Sequence, residues 1–382
     1  MADPNTVMQR IFQRAEEMEL EQDLARLSGL SDTRVAEIRH GESVSTTEFE
    51  MICKALAVDP GAMYTGSASN PSRSPARFRA ATAHDSPSSA DVRLLALAAE
   101  QGRILSDLIG LLGKEVKLRQ HRQIMGIQGT LGVWREGYEL GESARAVLAP
   151  NGRPLWDLPR LLGELGIHVA RVRLSSGDID AASIWEADAV PVVLINSTSH
   201  VSKHPGAFRA SLAHELCHLL HDAGERNLTT QVSWGAEGTG NYHDDLEKRA
   251  RAFAPAFLAP RDHVTAWLAS QNKRLKNNST ELLVALAEAW GLSFEGAVWH
   301  AKNCGIIDPV EADSLAGMSA KPKMSLVNFQ IHEDFYPPAM VHPELPEKAA
   351  PLWQGWASVI VIKAMEEGCI SVGRARELLT WS

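Results

Sequence analysis

Two histidines and a glutamate lie close together near the middle of the chain, in the pattern H-E-x-x-H. They are His214, Glu215 and His218, inside the run FRASLAHELCHLLHD, which contains no Pro or Gly and is apolar enough to predict a helix. Helical positions four apart lie on one face, so the two imidazoles can bind one metal ion. Glu215 lies a quarter-turn away, where it can take a proton from a water beside that ion. The competing interpretation is a core helix with two buried histidines.

A zinc site of this kind needs a third protein ligand and one open position for water. The downstream candidates are His221, Asp222, His243, Asp244, Asp245 and Glu247. The run EKRARAFAPAFLAP begins at Glu247, and its apolar residues recur at helical spacing, which predicts a helix that Glu247 opens. A carboxylate in that position can reach the metal while the apolar side packs behind the H-E-x-x-H helix.

The two segments together resemble the ImmA/IrrE metallopeptidases. In that family the H-E-x-x-H helix is followed further along the chain by E-x-x-A-x-x-F-A-x-x-L-L-x-P. The second motif matches at Glu247, Ala250, Phe253, Ala254, Leu258 and Pro260, with Phe257 where Leu is usual. The lead-in runs PVVLIN and FRASLA also look similar, and Cys217 replaces the more usual Gly. The resemblance implies a zinc endopeptidase with His214, His218 and Glu247 as ligands of Zn²⁺ and Glu215 as general base.

The segment between the two motifs, residues 223–246, contains the Gly-rich run GAEGTG and is predicted to lie near the metal. Tyr242 or His243 in this segment could stabilise the oxyanion that forms when a carbonyl is attacked. The alternative is a plain loop with Asp244 or Asp245 as a helix cap.

Length and composition limit the class of protein. A chain of 382 residues with 45% hydrophobic residues can form two or three packed domains. Its four cysteines contain no C-x-x-C pair, which favours a reducing, cytoplasmic location over a disulfide framework. The absence of an 18-residue apolar run and of an N-terminal apolar segment argues against a membrane or secreted protein. The net charge of −9 gives no general attraction to nucleic acid.

Residues 1–66 are predicted to form a bundle of short helices. Leu24 to Leu27 reads as a helix that ends at Gly29, and Ser31 reads as the N-cap of a second helix that reaches Arg39. With the helix that follows at 49–56, this order resembles the XRE-type, Cro/repressor-like helix-turn-helix domain. In such domains the second of these helices enters the major groove of DNA.

The resemblance implies that Thr33, Arg34 and Glu37 face the bases. Residues 1–66 nevertheless contain 6 Lys and Arg against 12 Asp and Glu, and Glu21 stands where these domains usually carry a Gln that contacts phosphate. Basic contacts to phosphate supply most of the affinity for DNA, so an acidic domain binds it poorly unless a local face around Arg26, Arg34 and Arg39 stays basic. The alternative is a helical bundle for dimerisation or protein recognition.

The remaining chain divides by composition. A Ser/Pro/Ala-rich linker is predicted at 67–90, a long helix at 91–125 that covers the catalytic domain or forms a homodimer, the metallopeptidase domain at 126–316, and a helical region at 317–382. The last region could dock a partner, cover the cleft or extend a dimer. The predicted fold class is α+β and mostly helical, with a helix-turn-helix bundle, a zincin-like domain with a small sheet, and a helical C-terminal region. An exposed edge of that sheet could hold an extended peptide.

The sequence thus predicts a cytoplasmic zinc endopeptidase that acts in transcriptional regulation. Its substrate would be a transcriptional repressor, the protein's own linker or a partner docked by residues 1–66, in a stress, mobile-element or phage response. A second hypothesis is a non-enzymatic DNA-binding regulator or antitoxin-like protein with a structural or sensing zinc site. A third is a protease held inactive until a ligand or DNA-end signal opens it.

Overall fold

The fold is α+β and mostly helical, as the sequence predicts. The computed structural model describes residues 4–18, 20–65, 88–115, 132–175, 179–186, 189–199, 202, 204–222, 230–234, 242–273, 277–318 and 352–380. Among them a single four-stranded sheet is surrounded by helices. No single described helix is long and apolar enough to cross a membrane, and one bent pair of helices passes that test by length and composition only.

The N-terminal bundle contains five helices: α1 (Pro4–Glu17), α2 (Leu24–Ser28), α3 (Asp32–Arg39), α4 (Thr46–Ala55) and α5 (Pro60–Thr65). Gly29 ends α2 in the left-handed conformation, with φ at 74°, and the Ser31 side chain accepts the Arg34 N–H to begin α3. Ser45 and Glu48 form a capping box at the start of α4. These local signals produce the helix-turn-helix geometry.

The sheet has the strand order β1-β3-β2-β4. Its strands are β1 (His168–Val172), β2 (Ile179–Ile184), β3 (Val192–Asn196) and β4 (Thr230–Trp234). β1 and β3 are parallel, whereas β2 is antiparallel to both β3 and β4. The sequence prediction missed β4, because its residues lie inside the segment interpreted as a loop.

Helix α6 (Ser89–Leu111) lies against this sheet. Its backbone approaches the loop before β3 so closely that a Cβ at Gly102 would lie 2.4 Å from the Val190 carbonyl oxygen, and the Val190 N–H donates to the Gly102 carbonyl. The helix ends at Leu111, before a left-handed Gly113, rather than near residue 123 as predicted. Residues 116–125 of the predicted helix lie outside the described part of the chain. Since the apolar stripe of α6 is buried within its own chain, a homodimer would need another surface.

The remaining helices build the walls of the site and the C-terminal region. They are α7 (Val133–Leu148), α8 (Leu158–Glu164), α9 (Pro205–Cys217), α10 (Tyr242–Leu258), α11 (Arg261–Ser270), α12 (Ser279–Trp290), α13 (Phe294–Asn303), α14 (Pro309–Ala316), α15 (Trp356–Glu366) and α16 (Val372–Thr380). Helix α9 carries the H-E-x-x-H motif and packs against both the sheet and α10. Helix α10 carries Glu247 in its second turn, not at its first residue as predicted.

Helices α7 and α10 cross at unusually close range because glycines line the contact. A Cβ at Gly137 would lie 2.3 Å from the Arg249 carbonyl oxygen, and one at Gly141 would lie 2.6 Å from the Phe253 carbonyl oxygen. At the far end of the contact the buried Arg145 guanidinium donates to the Phe257 carbonyl. Helix α7 therefore fixes the helix that presents Glu247.

Replacing Gly141 by Ala should lower the free energy of unfolding by about 1–3 kcal/mol, because the new methyl group would force α7 away from α10. Replacing Gly110 by Ala, a helical glycine with no atom within 4 Å of its added Cβ, should instead raise stability by about 0.5–1 kcal/mol. Urea unfolding followed by circular dichroism measures both. Equal stability of the two variants would contradict the close crossing.

The C-terminal region covers one edge of the sheet. The Gln354 side chain donates to the Arg171 carbonyl at 3.1 Å and accepts from the Arg171 N–H at 3.5 Å, so it occupies the free edge of β1 as a further strand would. The Leu352 carbonyl accepts from the buried His168 Nε2 at 2.8 Å. Further along, Arg374 pairs with Asp59 of the N-terminal bundle at 2.7 Å. At Arg171 the edge of β1 is thus already hydrogen-bonded, and this region ties the sheet to the bundle.

Candidate metal centre

The three predicted ligands meet at one point between α9 and α10. The His214 Nε2 atom lies 3.2 Å from Glu247 Oε2, the His218 Nε2 atom lies 3.3 Å from Glu247 Oε1, and the two Nε2 atoms are 3.0 Å apart. Together they form a candidate metal-binding cluster among the described residues. Of the six candidates for the third ligand that the sequence offers, the structure brings Glu247 to this point.

The donor set and its spacing fit zinc. Bonds of about 2.1 Å in tetrahedral directions separate neighbouring ligand atoms by about 3.4 Å. The observed separations of 3.0–3.3 Å are close to this, and two imidazoles with one carboxylate are a typical catalytic set that leaves a fourth position for water. All three side chains are mostly buried, so few water molecules compete for the ligand atoms.

The electrostatics of the cluster favour a cation. Burial disfavours the imidazolium of His218, but hydrogen bonds and charges from Asp222 and Glu247 outweigh it and raise its pKa to about 10. Burial likewise disfavours the Glu247 carboxylate, yet His214 and His218 hold its pKa well below the usual range. Positive charge is therefore stabilised where the three ligand atoms meet.

A chain of charged side chains holds His218 from behind. Its Nδ1 atom lies 2.5 Å from Asp222 Oδ2, at the end of a π-helical turn, His218–Asp222, that continues α9. The other oxygen of Asp222 accepts from Arg249 of α10, and Arg249 also pairs with Glu136 of α7 at 3.3 Å. Because the Asp222 carboxylate binds the Nδ1–H, it leaves Nε2 free as the ligand atom and fixes the plane of the ring.

The other residues around the motif are buried. The side chain of Glu215 is fully buried on α9, between the two histidines in sequence. Cys217 is buried, and this burial raises the pKa of its thiol well above the ordinary value, which makes it an inert core residue. His221 packs edge-on against Phe253 rather than joining the cluster.

Tyr242 and His243 begin α10, so their backbone is helical, and the predicted cap at Asp244 or Asp245 is wrong because the helix starts earlier. The side chains of residues 242–244 lie outside the described part of the structure. An oxyanion-stabilising role for Tyr242 or His243 stays a prediction.

On the N-terminal bundle, the predicted basic face is neutralised by ion pairs. Arg26 pairs with Asp23 at 2.8 Å, and Arg39 pairs with Glu21. Arg34 binds Glu48 at 2.7 Å and Glu37 at 3.1 Å. Thr33 lies in the first turn of α3 and is exposed. Two of the three residues predicted to face DNA bases, Arg34 and Glu37, therefore bind each other.

These features together define a mostly helical α+β domain with a candidate metal centre, joined to a helix-turn-helix bundle. Residues 162–298 match the model of the IrrE N-terminal-like domain of peptidase family M78, and residues 16–63 match the model of the Cro/C1-type helix-turn-helix DNA-binding domain. No curated protein matches the chain. The protein thus carries an IrrE N-terminal-like metallopeptidase domain and a Cro/C1-type DNA-binding domain, which confirms the family resemblance of both segments.

Proposed function

We propose that the protein is a zinc-dependent endopeptidase of transcriptional regulation, with His214, His218 and Glu247 as ligands of Zn²⁺. The observation that carries the proposal is the convergence of two imidazole nitrogens and one carboxylate, from two different helices, within hydrogen-bond distance of one another. A cluster of this composition inside an IrrE N-terminal-like domain supports peptide hydrolysis over a purely structural metal.

When bound, the zinc ion would supply Lewis-acid polarisation of the scissile carbonyl. Glu215 would take a proton from the attacking water and pass it to the leaving amine as the peptide bond breaks. Asp222 would keep the His218 ring in the tautomer that presents Nε2. A structural zinc site would have no use for Glu215, which favours the enzyme over the non-enzymatic alternative.

The proposed substrate is a transcriptional repressor. The Cro/C1-type domain in the same chain favours a target that is itself found at DNA, and proteolysis of a repressor would switch on its genes irreversibly. The protein's own linker at 67–90 is the alternative substrate.

Metal analysis tests the proposed centre directly. Purified protein should contain about one zinc per chain, because the site has one set of three ligands. Removal of the ion with a chelator should abolish cleavage of the substrate repressor, and added Zn²⁺ should restore it. Mass spectrometry of the native protein gives the stoichiometry, and protein with no bound zinc would contradict the proposal.

We also propose that the N-terminal domain binds DNA weakly and that its ion pairs set the affinity. Each of Arg26, Arg34 and Arg39 is neutralised by an acidic neighbour, so few guanidinium groups can displace counterions from phosphate. This domain therefore suits recruitment of the peptidase to DNA already held by another protein better than repression on its own.

Replacing Glu21 by Gln should raise DNA affinity about three- to tenfold at low salt, because Arg39 is released to contact a phosphate. The slope of log affinity against log salt concentration should become steeper by about one. Fluorescence anisotropy with a fragment of the protein's own promoter, over about 50–200 mM salt, measures both. Glu50→Gln, an exposed change of equal charge on α4, is the control. An equal gain in both variants would indicate that net charge alone sets the affinity.

A further inference from the structure

A cleft of about 680 Å³ includes part of the candidate metal centre and is lined mainly by α7, α9, α10 and α13. His214 and Glu247 belong to its lining, as do Leu258 and Asn303. From Glu247 to Leu258 the helix α10 rises about 16 Å at 1.5 Å per residue. An extended peptide covers that distance with about four or five residues at 3.3 Å each. The cleft therefore has room for the four or five substrate residues on one side of the scissile bond.

The lining combines a floor of small residues with bulky walls. Ala207, Ala210 and Gly296 contribute little side-chain volume, whereas Trp134 and Trp299 supply large aromatic surfaces. Trp134 is 47% exposed although it is one of the largest apolar side chains of the protein. An exposed aromatic side chain in a concave site is typical of a surface that a ligand covers.

Away from the cluster of His214, His218 and Glu247, the described part of the cleft lining is locally basic. Lys248 and Arg251, both exposed on α10, line it, while Asp180 is its acidic residue apart from Glu247. Arg135 lies over the Trp134 ring at 5.7 Å and Lys302 lies over the Trp299 ring at 5.0 Å, which adds two cations at the aromatic walls. This positive surface stands out on a chain with a net charge of −9.

A proline interrupts the backbone hydrogen bonding of α10 beside the cleft. Pro255 lies inside α10 and has no N–H, so the Arg251 carbonyl lacks its usual partner four residues on. Both residues line the cleft. A substrate N–H is the kind of donor that such a carbonyl requires.

We propose that this cleft is the specificity subsite of the peptidase and that it selects a large apolar residue, such as Phe, Trp, Leu or Met, with an acidic residue beside it. The inference rests on the proposed peptidase function and names the class of sequence that it would cut. Trp134 lies on α7, outside residues 162–298, whereas Trp299 lies on α13, which begins inside that range, so the wall that Trp134 forms is supplied by a helix beyond the matched domain. Trp134 and Trp299 are specificity-determining residues rather than parts of the catalytic centre.

The test measures binding rather than cleavage. Zinc-loaded, full-length Glu215→Gln protein is mixed with a random octapeptide library, and the retained peptides are sequenced. We expect large apolar residues to be enriched about fivefold or more at one position, because burying such a side chain contributes roughly a tenfold or greater preference. Acidic residues should be enriched at an adjacent position.

Single-residue variants test which side chains produce the apolar preference and which produces the acidic preference. Trp134→Ala and Trp299→Ala should lose the apolar preference, whereas Arg251→Gln should lose the acidic preference and keep the apolar one. Trp156→Ala is the matched control, because Trp156 is similarly exposed at 42% but does not line the cleft. The zinc content of each variant verifies that its fold is intact.

Retained peptides with the composition of the starting library would overturn the subsite, as would an apolar preference that survives in both tryptophan variants. Cleavage of the same library by the wild-type protein is scored separately. Zinc-loaded wild-type protein that cuts no peptide would refute the proposed peptidase and leave the binding preference readable, so the two failures are distinguishable.

Discussion

Replacing Glu215 by Gln should slow substrate cleavage by roughly 10²–10⁴-fold and leave the bound zinc in place. The amide has nearly the same shape as the carboxylate, but it cannot accept the proton of the attacking water. Glu215 does not belong to the cluster of metal-ligating atoms, so the three ligands keep their positions. Cleavage of the proposed repressor substrate, followed by gel electrophoresis and mass spectrometry, gives the rate, and metal analysis of the same sample gives the zinc content.

The matched control is Glu366→Gln, the same change at an exposed position near the end of α15. It should cut at the wild-type rate. A Glu215→Gln protein that still cleaves its substrate would exclude Glu215 as the general base. Loss of zinc together with cleavage would instead indicate that this buried carboxylate maintains the fold of the site.

The convergence of His214, His218 and Glu247 could be predicted from the sequence because its first half is local. His214 and His218 lie one helical turn apart, so the helix alone brings them together, whatever it packs against. Glu247 required the second motif, since nothing in the spacing alone separates it from His243 or Asp245. The structure adds the reason for its position: α10 starts at Tyr242, which puts Glu247 in the second turn, opposite the two imidazoles.

The support behind the cluster could not be predicted, because it joins residues that are distant in the chain. Glu136 reaches Arg249 across the contact between α7 and α10, which depends on the missing side chains of Gly137 and Gly141. The i,i+4 spacing of His218 and Asp222 is the one local signal of this network in the sequence. This spacing predicts a hydrogen bond between the two side chains just as well as a metal ligand at Asp222.

In the N-terminal bundle, too, the local features could be predicted from the sequence and the contacts between helices could not. Its caps and turns, such as Gly29 and Ser31, follow from local backbone chemistry and lie where the sequence predicts them. The ion pair of Arg39 with Glu21 spans two helices and is decided by their packing. A count of charges predicts an acidic domain, but it does not predict that each arginine of this face already has a partner.

Replacing Glu247 by Gln should weaken zinc binding by on the order of 10²–10³-fold, because one of three ligands would lose its charge in a site whose total binding free energy is about 10 kcal/mol or more. Asp222→Asn should weaken it by about 10–100-fold, since that carboxylate orients His218 without reaching the ion. Competition with a chromophoric chelator at fixed pH measures both affinities. A larger loss of zinc affinity in Glu247→Gln than in Asp222→Asn therefore distinguishes a metal ligand from a residue that orients a ligand.

Cobalt substitution distinguishes the two roles by a second route. The visible absorption of Co²⁺ depends on its ligand atoms, so Glu247→Gln should change the spectrum, whereas Asp222→Asn should keep the wild-type bands at higher metal concentration. An unchanged spectrum in Glu247→Gln would remove that residue from the ligand set. If Asp222→Asn bound zinc as tightly as the wild type, the buried chain from His218 through Arg249 to Glu136 would serve only to join α7, α10 and the π-helical turn.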